Sequence, residues 1–178
     1  MRDNEIDSFL DLLRDNDKHQ LLNREWKLLY RKSSDGRYSD QQFVKEKYEN
    51  KQNILCLMES ENDNVLGGYS SSGWNSNSIQ FDVFNHDDTA FIFGIRSSKG
   101  KKPIIANVEP EMASQAIVSN DGYYLMFGSD WVINLKINGK FYTNSSYCYS
   151  LPKGSHLLGG QSDNWSDRVK DLEIFQVI

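Results

Sequence analysis

Residues 54–69 read ILCLMESENDNVLGGY and contain two apolar runs separated by a polar stretch. The first run, ILCLM at 54–58, has no polar position, which is typical of a strand buried on both faces. The polar residues ENDN at 61–64 predict a turn, because Asn and Asp favour turn conformations. The second run, VLGGY at 65–69, predicts the next strand.

Strand patterns continue on both sides of this stretch. Apolar runs predict further strands at 26–30, 90–95, 123–127 and 172–177. The segment at 132–137 alternates apolar and polar residues, and Asn138-Gly139 follows it as a two-residue hairpin signal before 140–142. Strands at short intervals, without regular strand–helix alternation, predict an α+β, mainly β fold. We expect a two-sheet antiparallel β-sandwich flanked by a few helices.

The first residues of the chain predict a helix at 4–22. The residues Ile6, Phe9, Leu10 and Leu13 follow the spacing of one helical face, and the Asp-Asn-Asp stretch at 15–17 is a place where the helix can break or bend. This helix either packs over a sheet edge, binds a partner, or is the end of a preceding coiled segment. We therefore divide the chain into a helix at 1–22 and a sandwich domain at 23–178.

A second helix is expected after residue 39. The sequence SDQQ at 39–42 matches a capping box with Ser39 as the cap and Gln42 at the third helical position. The predicted helix of about ten residues would bury Phe43, Val44 and Tyr48.

Composition limits the classes of function. The length of 178 residues fits a single domain. The net charge of -5 argues against non-specific nucleic-acid binding. No apolar run approaches the about 20 residues of a membrane span, and the start lacks a signal-peptide pattern. We expect a cytoplasmic protein in which Cys56 and Cys148 are reduced core thiols; a disulfide is the alternative.

Six short motifs carry a resemblance to a known family. In chain order they are Trp26-x-Leu28-Leu29-Tyr30 with Asp35-Gly36, Ser39 and Phe43; residues 65–69 with Trp74; residues 90–93; Phe127-Gly128 with Asp130; residues 144–147; and residues 172–175. Together they resemble the TLDc domain family over about residues 22–178.

The resemblance implies a β-sandwich flanked by helices and a role in oxidative-stress resistance. It also implies a protein partner, which in several relatives is the vacuolar proton pump (V-ATPase), and hence a place at the endolysosomal membrane surface through that partner. It implies no cofactor and no agreed reaction.

Glu173 is the candidate catalytic residue. The Gly-x-Ser-x-Gly and P-loop motifs are absent, and Glu173 lies between two apolar residues of the predicted terminal strand. A buried carboxylate must be paired or hydrogen-bonded. Glu173 is therefore an outward residue, the partner of an arginine such as Arg96 or Arg31, or the acid–base residue of a cryptic enzyme.

His86, Asp87 and Asp88 form the best local cluster for a metal ion. The alternative is a solvated turn before the strand at Ala90. The other histidines, His19 and His156, are predicted at a helix end and in a loop.

Candidate partner-binding residues lie near predicted loops and turns. Gly67 and Gly68 predict a β-bulge or a close backbone approach beside Tyr69. Trp74 and Trp131, the latter following Asp130, are either plugs at the ends of the sandwich or exposed anchors for a protein or a sugar.

One run of the sequence is basic. The segment RSSKGKK at 96–102 places Arg96, Lys99, Lys101 and Lys102 between two predicted strands. It is either a solvated loop or a contact for an anionic partner such as an acidic protein face, phospholipid headgroups or RNA.

Overall fold

The computed structural model describes residues 3–16, 18–74, 82–120, 122–129, 133–136, 139–143, 147–151 and 165–178. The helices are α1 Asp3–Asp15, α2 His19–Leu22, α3 Lys32–Asp35 and α4 Gln41–Tyr48, with a 3-10 helix at Pro110–Gln115. The strands are β1 Trp26–Arg31, β2 Ile54–Ser60, β3 Val65–Ser70, β4 Val83–Asn85, β5 Phe91–Arg96, β6 Ile104–Asn107, β7 Ile117–Ser119, β8 Tyr123–Phe127, β9 Ile133–Lys136, β10 Lys140–Thr143 and β11 Trp165–Val177. None of the helices in these ranges is long and apolar enough to cross a membrane.

The strands form two antiparallel sheets, which confirms the predicted β-sandwich. The first sheet has the order β1-β11-β2-β3-β5-β6, and the second has the order β4-β7-β8-β9-β10-β11. Strand β11 belongs to both sheets. Its first residues pair with β10, as in Thr143 opposite Trp165, and its later residues pair with β2 and β1.

A β-bulge marks the point where β11 passes from one sheet to the other. The register against β2 shifts between Val169 and Asp171. The Lys32 ammonium donates to the carbonyl of Val169, and the Asp171 carboxylate accepts from the Ser33 N–H at 3.0 Å and from its hydroxyl at 2.7 Å. Helix α3 therefore fastens the bulged segment of β11.

The core has two parts, one on each face of the first sheet. The inner cluster fills the space between the sheets; it includes Cys56, Met58, Leu66, Ile92 and Phe127. The outer cluster lies under α1 and α2; it includes Phe9, Leu13, Leu55, Leu57 and Phe93. Successive residues of β2 point to opposite faces, so both faces of this strand are buried, as its continuous apolar run predicted.

Helix α1 packs on the outer face of the first sheet. Phe9 and Leu13 are buried, and the Phe9 ring lies 4.5 Å from the ring of Phe93, whereas Ile6 is 40% exposed. The helix ends at Asp15 and α2 begins at His19, so the break predicted at 15–17 is confirmed.

Helix α4 begins one residue later than predicted. The cap is Asp40, whose carboxylate accepts from the Phe43 N–H at 3.1 Å, and not Ser39. An Asp side chain is as good an N-cap as Ser, so the capping-box match did not distinguish the two. Val44 and Tyr48 are buried as predicted, and Phe43 packs at the margin of the core.

Two details of the strands differ from prediction. Gly67 and Gly68 form no bulge, because their pairing with Cys56 and Leu57 is regular and the shift in β3 lies between Val65 and Leu66. In the hairpin, Leu135 pairs with Phe141. A two-residue Asn138-Gly139 loop would instead pair Leu135 with residue 142, so the observed register differs from the predicted one. Asn138 itself lies outside the described residues.

Candidate functional site

A pocket opens on the outer face of the first sheet, near the N-terminal end of α1. The space between its lining residues, counted with the solvent at its open mouth, is about 280 Å³. The lining residues are Glu5, Leu57, Glu59, Val65, Asp171 and Glu173. The predicted catalytic candidate Glu173 thus faces a pocket with an apolar floor and several carboxylates.

Glu173 is held by an arginine. Its Oε1 lies 2.6 Å from Nη2 of Arg31, the residue directly opposite on β1, and only 8% of the Glu173 side chain is exposed. Of the alternatives that the sequence left open, the structure shows the ion pair with an arginine, with Arg31 as the partner and not Arg96. One oxygen of the carboxylate is therefore engaged in an ion pair that joins β1 to β11.

Arg96 organises the other wall of the pocket. Its guanidinium pairs with Glu5 of α1, with Glu59 at 3.0 Å and with Asp63 at 3.2 Å. Lys170 lies 2.9 Å from the same Glu59 carboxylate. Burial disfavours the charged form of Glu59, but the hydrogen bonds and charges of Lys170 and Arg96 outweigh it and lower its pKa. This network fastens α1 to the sheet.

The side chains of the candidate metal cluster at His86, Asp87 and Asp88 do not converge. Asp87 is 2% exposed, whereas its neighbours His86 and Asp88 are exposed. Within the described residues, no group of three or more His, Cys, Asp or Glu side chains is arranged to hold a metal ion.

Asp87 instead serves as a hydrogen-bond centre for the loop that follows β3. Its carboxylate accepts from the hydroxyls of Ser70 at 2.8 Å and Ser71 at 2.9 Å, and from the Ser72 N–H at 3.0 Å. It also accepts from the N–H of Thr89 at 3.0 Å. Burial disfavours the charged carboxylate, but these hydrogen bonds outweigh it, so the pKa of Asp87 is lowered. The Asp-x-Thr spacing was the available signal for this role, because it fits an Asx turn.

The candidates around β3 are buried, Trp74 between the two sheets and Tyr69 on the outer face of the first sheet. Trp74 is 2% exposed and its ring lies 5.2 Å from that of Phe127, so it plugs the core and is no exposed anchor. A Cβ added at Gly67 would lie 2.0 Å from the Cys56 carbonyl oxygen, and one at Gly68 would lie 2.5 Å from the Phe127 ring. These glycines are required by close packing, and Tyr69 is 7% exposed beside them.

The candidates Asp130, Trp131 and His156, and the side chain of His19, lie outside the described parts of the structure.

The two cysteines are free thiols in the interior of the domain. Cys56 and Cys148 are both buried and not joined in a disulfide, as predicted. Burial raises the pKa of Cys56 to about 12, so its thiolate, the nucleophilic form, is scarce at neutral pH.

The basic run divides into two groups. Arg96 belongs to the pocket wall, whereas Lys99, Lys101 and Lys102 are exposed in the turn between β5 and β6. Sequence reasoning grouped these four cations, and it missed Glu5, Glu59 and Asp63 as the partners of Arg96. Nothing in their spacing signals that contact, because Glu5 lies 91 residues from Arg96 along the chain.

Comparison with known proteins agrees with the fold. No curated protein sequence matches this chain with significant similarity. The family model of the TLDc domain matches residues 6–178. That range begins within α1 and contains both sheets and the pocket residues from Leu57 to Glu173. The chain therefore belongs to the TLDc domain family.

Proposed function

We propose that this chain is a TLDc-type protein-interaction module that binds and regulates the vacuolar proton pump, with resistance to oxidative stress as the outcome. Membership in the TLDc family supports the class of module. The pump is the partner implied by the resemblance of the sequence motifs. We place the protein in the cytoplasm, at the endolysosomal membrane surface when the pump is bound.

The observation that carries the proposal is a contrast between two surfaces. The charged groups of the pocket are paired within the domain, whereas the lysines of the turn between β5 and β6 are exposed. Glu173 is paired with Arg31, Glu59 with Arg96 and Lys170, and Asp171 accepts hydrogen bonds from Ser33. These groups support the structure by holding β1, β2, α3 and β11 together. Lys99, Lys101 and Lys102, by contrast, project from a turn at the rim, where a partner can reach them.

Affinity purification tests the proposal. The folded chain is immobilised and exposed to detergent-solubilised endolysosomal membranes, and the retained proteins are identified by mass spectrometry. We expect several pump subunits in stoichiometric amounts. An unrelated β-sandwich of similar negative charge serves as the control for non-specific retention.

Recovery of no pump subunits above this control, from membranes in which the pump is abundant and active, would contradict the proposed partner. A second readout is the ATP hydrolysis rate of the purified pump, which regulation by the module is expected to change.

A further inference from the structure

The turn between β5 and β6 presents a compact basic surface. Strand β5 pairs with β6 as far as Gly94 opposite Ile104, and residues 97–103 connect them. Lys99, Lys101 and Lys102 all lie in this connection and are exposed. We call the connection at residues 97–103 the lysine turn.

The backbone of the lysine turn is held in one conformation. The Gly100 N–H donates to the Ser97 carbonyl at 2.9 Å, and the Lys99 N–H donates to the Ser97 hydroxyl at 3.1 Å. Gly100 has a φ of +68°, which glycine adopts without strain. The turn is therefore built by its own sequence.

The turn between β2 and β3 fastens the lysine turn to the sheet. The Ser98 N–H donates to the side-chain oxygen of Asn64 at 2.8 Å, and Asn64 is 1% exposed. Asn64 is itself fixed by the hydroxyl of Ser60, which accepts from its backbone N–H at 3.1 Å. These hydrogen bonds fix the backbone near Ser98 and Lys99, so this part of the turn has less backbone freedom to lose on association.

The charge of the lysine turn is opposite to that of the chain. The whole chain carries a net charge of -5, and within the described residues no ion pair engages Lys99, Lys101 or Lys102. An anionic ligand would thus be attracted to the turn and repelled by much of the remaining surface.

The size of the basic surface selects among anionic ligands. A nucleic-acid duplex or a lipid bilayer is an extended polyanion, so the net charge of -5 of the whole chain repels it while the turn attracts it. A short acidic peptide segment contacts only the turn. We infer that the lysine turn binds an acidic segment of a protein partner. This inference rests on the proposed function and names the contact surface that the module uses.

The test compares two triple variants of the full chain. In the first, Lys99, Lys101 and Lys102 are changed to Glu. In the control, the three exposed cations Arg24, Lys27 and Arg168, which lie on other elements, are changed to Glu. Both variants carry the same net charge, so a difference between them reports the position of the charges. Unfolding curves establish that both are folded.

The probe is a fluorescein-labelled oligoglutamate peptide, with binding followed by fluorescence anisotropy at low and high salt. We expect the lysine-turn variant to bind at least about tenfold more weakly than the control variant, as expected for three rim charges. Affinity of the wild type should fall as salt rises. Equal affinity of the two variants would overturn the inference.

Two further probes distinguish other anionic ligands. Tighter binding of the wild type to duplex DNA, or to phosphatidylcholine–phosphatidylserine vesicles, than to the peptide would also overturn it. Failure here is distinguishable from failure of the proposed function. If the lysine-turn variant still captures the pump, the contact surface is wrong and the partner stands. If the wild type captures none, the partner is wrong whatever the peptide result.

Discussion

Arg31 and Glu173 face each other across the β1–β11 pairing, with 2.6 Å between Nη2 and Oε1. The Glu173 side chain is 8% exposed and that of Arg31 is 41% exposed, so the pair lies at the boundary between the sheet and solvent. The ion pair neutralises a carboxylate that lies beside the apolar residues Leu57 and Val65 of the pocket. It also ties an edge strand to the strand shared by both sheets.

Glu173→Gln is expected to lower the stability of the domain. Removing a partner of a fully buried pair costs several kcal/mol, but Arg31 keeps contact with water, so we expect about 1–2 kcal/mol. The melting temperature should fall by about 2–8 °C. Differential scanning calorimetry measures it, with Glu111→Gln, which removes an exposed carboxylate, as the control.

The same variant separates a structural from a catalytic Glu173. A catalytic role predicts loss of a measurable turnover with an unchanged melting temperature. An unchanged melting temperature would therefore contradict our account of the ion pair.

Gly67→Ala is expected to be far more damaging than Gly122→Ala. The added Cβ at Gly67 would lie 2.0 Å from the carbonyl oxygen of Cys56, a backbone atom that cannot move without disturbing the β2–β3 pairing. Overpacking of this kind costs about 3 kcal/mol or more. At Gly122 the nearest atom is 3.3 Å away and belongs to a side chain. Urea unfolding of both variants checks the contrast, and equal stabilities would refute the close-packing explanation.

The lowered pKa of Asp87 predicts how the stability of the domain depends on pH. Its folded-state pKa is lowered, so ionised Asp87 contributes stability that is fully present above its unfolded pKa of about 3.9. The contribution is lost as the pH falls through the folded pKa. Asp87→Asn should cost about 2–3 kcal/mol at pH 7, because hydrogen bonds to a charged carboxylate are strong. The difference in stability between the two proteins should be constant at higher pH and shrink as the pH falls below about 3.9 toward the lower folded pKa. A constant difference from pH 7 to pH 3 would contradict the role of the charge.

Helix α1 offers one buried and one exposed apolar side chain, Phe9 and Ile6, whose replacement by Ala can be compared. Phe9 is buried against Phe93, so Phe9→Ala should destabilise the protein by about 3–5 kcal/mol. Ile6 lies on the same helix and is 40% exposed, so Ile6→Ala should cost less than about 1 kcal/mol. Hydrogen exchange of the α1 amides, measured with chemical unfolding, reports whether the helix detaches in the Phe9 variant. Unchanged exchange and stability would show that the helix does not depend on this contact.

Much of the sandwich could be predicted because its strands are marked locally. The run at 54–58 is buried on both faces, and its neighbour at 65–69 pairs with it residue by residue. No local sequence pattern indicates which distant segments pair as neighbouring strands. The sharing of β11 by two sheets depends on a bulge at Val169 and on Lys32 and Ser33, which lie more than 130 residues away in sequence. The three-residue strands β4 and β7 are too short for a periodic signal.

The candidate site was only partly predictable for the same reason. That Glu173 needs a counter-ion follows from its apolar neighbours, but the choice of Arg31 over Arg96 depends on which strand lies beside β11. Trp74 follows a polar loop in sequence, yet the chain turns it into the core against Phe127 and Tyr48. Exposure of an aromatic residue is a tertiary property that local composition does not determine.

The central claim, that this domain binds the vacuolar proton pump, is tested most directly with the purified pump. Biolayer interferometry would measure binding of the full chain to the immobilised, detergent-solubilised complex. We predict saturable binding with a Kd of about 1 μM or tighter, corresponding to about -8 kcal/mol. No saturable binding at concentrations about a hundredfold higher, by a chain shown to be folded, would contradict the claim.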